Sequence, residues 1–383
     1  MSKLHVSKDK AMELANLVLL AYGMYEDFKE KTILANESKW KFSPTIYGST
    51  ERKYDYHNQH FSQLNGEPIE YRILAEFWHT DRPVGMLHLE TVPFGFIAIK
   101  NEGKEQGAKR DEVYVVFRGT LNSQEWAQNS RLKKVEVVKG EAGAGYVHRG
   151  FNAIFETSYT ERLRSSRGFY TSLMRKLRRL KPPADTKQLS IRETLENIIF
   201  NSELVSPDAR IYITGHSLGG ALALLAGRVI ANAGRYIANG SGTIAQSPYS
   251  ENMAICTFAA PRVGDDAFKS VFKDISVVRY VNTEDIVPTV PPATSRLLGA
   301  DMNLTPEGLR SYKSDGIRSV AGIYQATAGS VQHGRGDDEQ KPFTHVGEQR
   351  TFTLSQDSIS FNHNHQETYR EGIVLYHESV VRT

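Results

Sequence analysis

The stretch Ile211-Tyr-Ile-Thr-Gly-His-Ser-Leu-Gly-Gly220, continued by Ala-Leu-Ala-Leu-Leu225, decides the fold. A short β-rich run leads into a Gly-x-Ser-x-Gly pattern, and small and aliphatic residues lead out of it as far as Ala231. A strand entering and a helix leaving is the setting in which such a serine stands exposed on a sharp, strained turn. Gly215 and Gly219 are needed there because side chains at those positions collide with neighbouring backbone. The start of the helix also aims peptide N–H groups and a positive dipole end at developing negative charge. Ser217 is therefore the candidate nucleophile.

Working outward, Phe94–Ile99 and Val113–Phe117 are β-rich runs joined by the charged, glycine-containing segment 100–110, as in a hairpin. Arg210–Thr214, Ala254–Phe258 and Val277–Val281 read as further buried strands, and 217–231 as a helix closed by Asn232 and Gly234. Strands alternating with helices imply βαβ units, and so an α/β protein with a mainly parallel central sheet. Near the start, Leu14, Leu17, Val18 and Ala21 fall at i, i+3, i+4 and i+7, the apolar stripe of an amphipathic helix.

Composition narrows the class further. The 383 residues hold 47 Lys and Arg against 44 Asp and Glu, a formal charge of +3, so no global field points to nucleic acid. A single cysteine, Cys256, excludes an internal disulfide, and no cysteine cluster offers a zinc site. No secretory signal is read at the polar residues 1–10, and the expected location is cytoplasmic, with secretion by another route left open. The expected organisation is one domain over 1–383. Residues 1–90 form an N-terminal extension packed on it, 159–205 a basic helical insertion, and 293–341 a Gly-rich insertion near the site. Within the first insertion, 162–181 has eight basic residues and no acidic one, interleaved with leucines. That pattern suits either a solvated helix face with buried leucines or contact with an anionic lipid surface.

A serine hydroxyl is a poor nucleophile and needs a histidine base oriented by a carboxylate. With this type of elbow, the acid and then the histidine follow the serine along the chain. Asp285 comes a few residues after a β run and before Val287-Pro288, in a loop at the carboxyl edge where open parallel sheets assemble their sites; Glu284 and Asp265 compete with it. Five histidines lie beyond: His333, His345, His363, His365 and His377. A loop entering the last helix suits a base, which favours His363 and His365 over His345. Of the pair His365 is taken as the base, with His363 as the alternative.

Taken in order, these motifs resemble those of the class 3 lipases. Val115-Val-Phe-Arg-Gly-Thr120 is similar to the family's strand and oxyanion loop, Val147-His-Arg-Gly-Phe151 to its His-x-Gly-Phe element, and Gly215–Gly220 to its nucleophile elbow. Phe258-Ala-Ala-Pro-Arg-Val-Gly264 is similar to its Pro-Arg-Val-Gly strand exit, and Val281–Pro292 to its acid loop. The resemblance covers about residues 90–292 and implies an α/β-hydrolase fold, with helices on both sheet faces, and hydrolysis of carboxylic esters. It marks Ser217 as nucleophile, Asp285 as acid, and the backbone N–H groups of Thr120 and Leu218 as the oxyanion hole. Trp126 falls where the family carries its lid, although it equally suits a core anchor; His216 is a further candidate for the lid or substrate-binding set. No cofactor or metal is implied. The implied partner is a lipid or other ester substrate, with transient contact at a lipid interface, and oligomeric state is left open. A phospholipase, a short-chain or aromatic esterase and a non-catalytic lipid-binding scaffold are the rival readings.

Overall fold

The structure is a computed structural model that describes residues 4–35, 71–81, 90–100, 111–120, 134–137, 144–158, 189–200, 204–232, 247, 249–291, 342–356 and 359–382. Trp126, His333, the basic segment 162–181 and the insertion 293–341 lie outside these residues.

Seven strands form one sheet. In chain order they are β1 (Tyr71–Asp81), β2 (Glu90–Lys100), β3 (Glu112–Phe117), β6 (Arg210–His216), β7 (Met253–Phe258), β8 (Ser276–Asn282) and β9 (Glu348–Phe352), and they lie side by side in that order. A separate ribbon pairs β4 (Lys134–Glu136) with β5 (Tyr146–His148). The pairings β3–β6, β6–β7, β7–β8 and β8–β9 are parallel, and β1–β2 and β2–β3 antiparallel. This is the α/β-hydrolase arrangement the motifs imply.

Alternation along the central strands sends side chains into two cores. Val113, Val115, Ile211, Ile213, Ile255 and Val277 face one of them, which is closed by helices α2 (Arg149–Glu156), α3 (Ile191–Ile199) and α4 (Leu218–Ala231). Tyr114, Val116, Tyr212, Cys256 and Tyr280 face the other, beneath α1 (Lys8–Ala35). Every residue of α4 from Leu218 to Ile230 is buried, Arg228 included, so this helix is covered on all sides rather than along one stripe. The buried Cys256 is a small core side chain whose thiol is pushed up by burial.

Helix α1 docks as its stripe predicts: Leu14, Leu17, Val18 and Ala21 are all buried. Burying a leucine contributes on the order of 2 kcal/mol. A partly buried ionic cluster fixes the register of the helix on the sheet. Lys10 Nζ lies 2.9 Å from Glu112 Oε2, Lys100 Nζ 3.1 Å from Glu13 Oε1, and the Tyr114 hydroxyl donates to Glu13 at 2.9 Å.

One element departs from the sequence expectation. The sheet begins at Tyr71 rather than near residue 90, inside the segment taken as an extension. Register shifts between Ile73 and Ala75 and between Phe77 and Trp78 interrupt the alternation that marks a strand.

Candidate active site

The elbow sits at the carboxyl end of β6, the central strand. Ser217 has φ 56° and ψ −126°, a left-handed conformation that side chains other than glycine adopt only under constraint. The flanking glycines supply that constraint. A Cβ at Gly215 would stand 2.2 Å from the Gly219 carbonyl oxygen, and one at Gly219 would stand 2.5 Å from the carbonyl oxygen of Arg118. The second contact shows that the elbow and the loop after β3 touch backbone to backbone.

That loop holds Thr120, whose N–H is the first candidate oxyanion donor. Arg118 Nε donates to Pro93 O at 2.8 Å, and its Nη1 donates to Gly119 O at 2.7 Å. Within a trans peptide the carbonyl of Gly119 and the N–H of Thr120 point in opposite directions. Holding the carbonyl with Arg118 therefore fixes the direction of the Thr120 N–H. The guanidinium lies over the rings of Tyr25 and Phe94, 4.0 and 4.5 Å from their centroids, and burial brings it down to about 10, still a cation at neutral pH. Leu218, the second candidate donor, opens α4 directly after the serine. The Thr120 Oγ1 is buried with no hydrogen-bond partner among the described residues.

Asp285 lies just past β8, buried, and receives three donors. Its Oδ1 accepts from the Val287 N–H at 2.9 Å, and its Oδ2 faces His363 Nδ1 at 2.7 Å and the Tyr369 hydroxyl at 2.6 Å. An ionised carboxylate only accepts, so His363 carries its proton on Nδ1 and its Nε2 is left as the basic lone pair. Neither His363 Nε2 nor Ser217 Oγ has a hydrogen-bond partner among the described residues, and both are buried. The His363 ring is centred 4.6 Å from that of His216, the residue beside the serine. The competing acids are elsewhere engaged or aligned: Asp265 caps α5 (Asp266–Ser270) through the Phe268 N–H and holds the Tyr146 N–H, while Glu284 is buried beside Thr283.

The expectation that His365 meets the acid is corrected by this geometry. His365 Nε2 donates to Ala15 O on α1 at 2.9 Å, and burial pushes the imidazole down to about 3. The two histidines flank Asn364, and the chain turns between α6 (Ile359–Asn362) and the single π-helical turn His365–Tyr369 that leads into α7 (Arg370–Arg382). Both rings pack on His216, but His363 turns its Nδ1 to Asp285 and His365 its Nε2 to α1. His345 is held elsewhere, against the backbone of Pro288, and His377 bonds the Tyr280 hydroxyl at 2.9 Å.

Sequence reasoning passed over three positioning residues. Asn282, at the end of β8, donates to Leu354 O and Asn362 O and accepts from the Leu354 N–H, which ties the last strand to the turn carrying His363. Tyr369 supports Asp285 and accepts the Asn282 N–H at 3.2 Å. Tyr22 of α1 meets His216 Nδ1 at 2.8 Å and the Gly119 N–H at 3.0 Å. Buried among His363 and His365, His216 is held neutral well below the usual imidazole range, chiefly by burial. Among the described residues no group of His, Cys, Asp and Glu is arranged to hold a metal ion.

The lipase (class 3) family model matches residues 114–295, a span that runs from the strand before the oxyanion loop through the elbow and the acid. Over that span the chain is similar to the class 3 lipase family. Phospholipase A1-II 3 of Oryza sativa subsp. indica is 31% identical over 219 residues, 54% of this chain and 46% of that protein. Phospholipase A1-II 4 of Oryza sativa subsp. japonica is 26% identical over 268 residues, 65% of this chain and 59% of that protein. The chain thus spans about half the length of the curated relatives it matches. Among solved structures, lipase II from Rhizopus niveus is similar at 19% identity over 76% of this chain and 78% of that one, with a TM-score of 0.35. His363, Tyr369 and Tyr22 all fall outside the family span.

Proposed function

We propose that this protein hydrolyses carboxylic esters of lipids through an acyl-enzyme on Ser217. The single observation behind this is an elbow serine at φ 56° whose neighbour His216 packs on His363, a histidine with its Nδ1 committed to a buried carboxylate 2.7 Å away. His363 Nε2 takes the Ser217 proton as Oγ attacks the ester carbonyl, and Asp285 stabilises the resulting imidazolium. The Thr120 and Leu218 N–H groups receive the oxyanion, each donor contributing about 2.7–4 kcal/mol in the transition state. His363 then returns the proton to the leaving alcohol, and water, deprotonated by the same Nε2, releases the acid. Changing Ser217→Ala is expected to abolish turnover of p-nitrophenyl esters and labelling by a fluorophosphonate; a variant that still turned over would remove the assignment.

A phospholipid substrate is the more specific reading, favoured by the relatives named phospholipase A1. Fatty acid release from phosphatidylcholine vesicles, measured beside release from an emulsified triacylglycerol, distinguishes the two. Faster release from the emulsion would reject the phospholipid reading.

A further inference from the structure

The family span leaves α1 without a role in the chemistry, yet its Tyr22 bonds both the residue before Thr120 and the residue before Ser217. We propose that Tyr22 is a positioning residue that sets the oxyanion loop against the nucleophile elbow, through one hydrogen-bond chain from the Gly119 N–H to the Tyr22 hydroxyl to His216 Nδ1.

The Gly119 N–H only donates, at 3.0 Å, so the hydroxyl accepts there and keeps its proton available for His216 Nδ1, 2.8 Å away. Burial holds His216 neutral. Such chains polarise one another and strengthen when shielded from water.

The consequence is geometric. Arg118 holds the carbonyl of Gly119 and Tyr22 holds its N–H, so the peptide units on both sides of Gly119 are fixed. Rotation of either would swing the Thr120 N–H away from the reacting carbonyl. The hydroxyl also occupies the space where loop and elbow come closest: a Cβ at Gly119 would stand 2.4 Å from it and 2.9 Å from Ser217 Cβ. Tyr22 itself is held in place. Its ring stacks on His365 at a centroid distance of 6.4 Å, and His365 is pinned to α1 by its bond to Ala15. The displaced histidine thus serves as the brace for the tyrosine.

This inference rests on the hydrolase reading, and the test separates the two. Tyr22→Phe keeps the ring and removes only the hydroxyl. With p-nitrophenyl butyrate, kcat is expected to fall about tenfold while KM stays within about twofold, since the loss lies in the transition state. The Ki of an alkyl boronic acid, which mimics the tetrahedral oxyanion, is expected to rise by the same factor. The fraction of Ser217 titrated to completion by a fluorophosphonate should remain that of the wild type. Glu13→Gln on the same helix, remote from the serine, is expected to lower Tm and leave kcat unchanged. An unaltered kcat in Tyr22→Phe, a loss matched by a lower titre, or an equal loss in Glu13→Gln overturns the role of Tyr22. Failure of the wild type itself to label overturns the hydrolase reading and this inference with it.

Discussion

His363 Nδ1 lies 2.7 Å from Asp285 Oδ2, while His365, two residues on, gives its Nε2 proton to the carbonyl of Ala15. One histidine is therefore prepared for proton transfer and the other for holding α1. Replacing His363 by Ala is expected to lower kcat by about 10⁴-fold or more, as for other members of such triads. His365→Ala is expected to cost on the order of 2–4 kcal/mol in stability, from the lost ring and the unpaired carbonyl, with kcat within about tenfold of wild type. Urea melts and ester turnover on the two variants check both halves; a reversed ranking in kcat would return the base to His365.

Tyr369 serves Asp285 and Asn282 at once, so Tyr369→Phe removes a donor from a buried carboxylate and an acceptor from a buried N–H. A hydrogen bond to a charged group contributes about 1.5–3 kcal/mol. Urea unfolding should show a loss of that size, and kcat should fall with it as the acid loosens. If neither quantity changes, Tyr369 does not support the acid.

Gly219→Ala tests the contact between elbow and oxyanion loop. The new methyl would stand 2.5 Å from Arg118 O and 2.6 Å from Phe117 O, both backbone atoms that can yield only by moving the loop. A displacement near 1 Å at a reacting group costs about 10²-fold in rate. The expected signature is a kcat loss of that order with fluorophosphonate labelling retained. Wild-type kcat would show that the loop accommodates the methyl without moving the amides.

Stability should weaken in mild acid, and the sign follows from the buried histidines. Burial lowers His148 to about 4 and His365 to about 3, against an ordinary value of 6.5. Their stabilisation is complete above pH 6.5. As pH falls below it, the unfolded chain binds protons that the fold refuses, until the folded values are reached. Each histidine then contributes a slope approaching ~1.4 kcal/mol per pH unit. The urea midpoint should drop clearly between pH 7 and pH 5, and His148→Asn should remove one histidine's share of that slope. A midpoint independent of pH over this interval would contradict the account.

How much of this was legible follows from where each constraint resides. The elbow could be read because Gly215, Ser217 and Gly219 fall in one short pattern between strand and helix, and the contact that requires Gly215 is with Gly219 itself. Asp285 could be read because strand, turn and Val-Pro all lie within one short segment. The choice between His363 and His365 could not, because it depends on which way the chain turns at Asn364, a matter of packing against α1 some 350 residues earlier. Tyr22 left only a faint trace, a polar aromatic next to the stripe ending at Ala21, and its partners lie 97 and 194 positions away. Tyr71–Asp81 escaped for a local reason, since two register shifts erase its alternation.

The bond between Ala15 and His365 joins residues 350 positions apart, and Asp285 waits 78 positions for its histidine. A chain emerging residue by residue has the first helix and the nucleophile turn in hand while the base is still unmade. Loop closure over such distances comes late and slowly. Until the segment around residue 363 is in place, Ser217 is an inert alcohol. The reactive set is thus a property of the whole chain, since contacts spanning 78 and 350 positions hold its histidines in place.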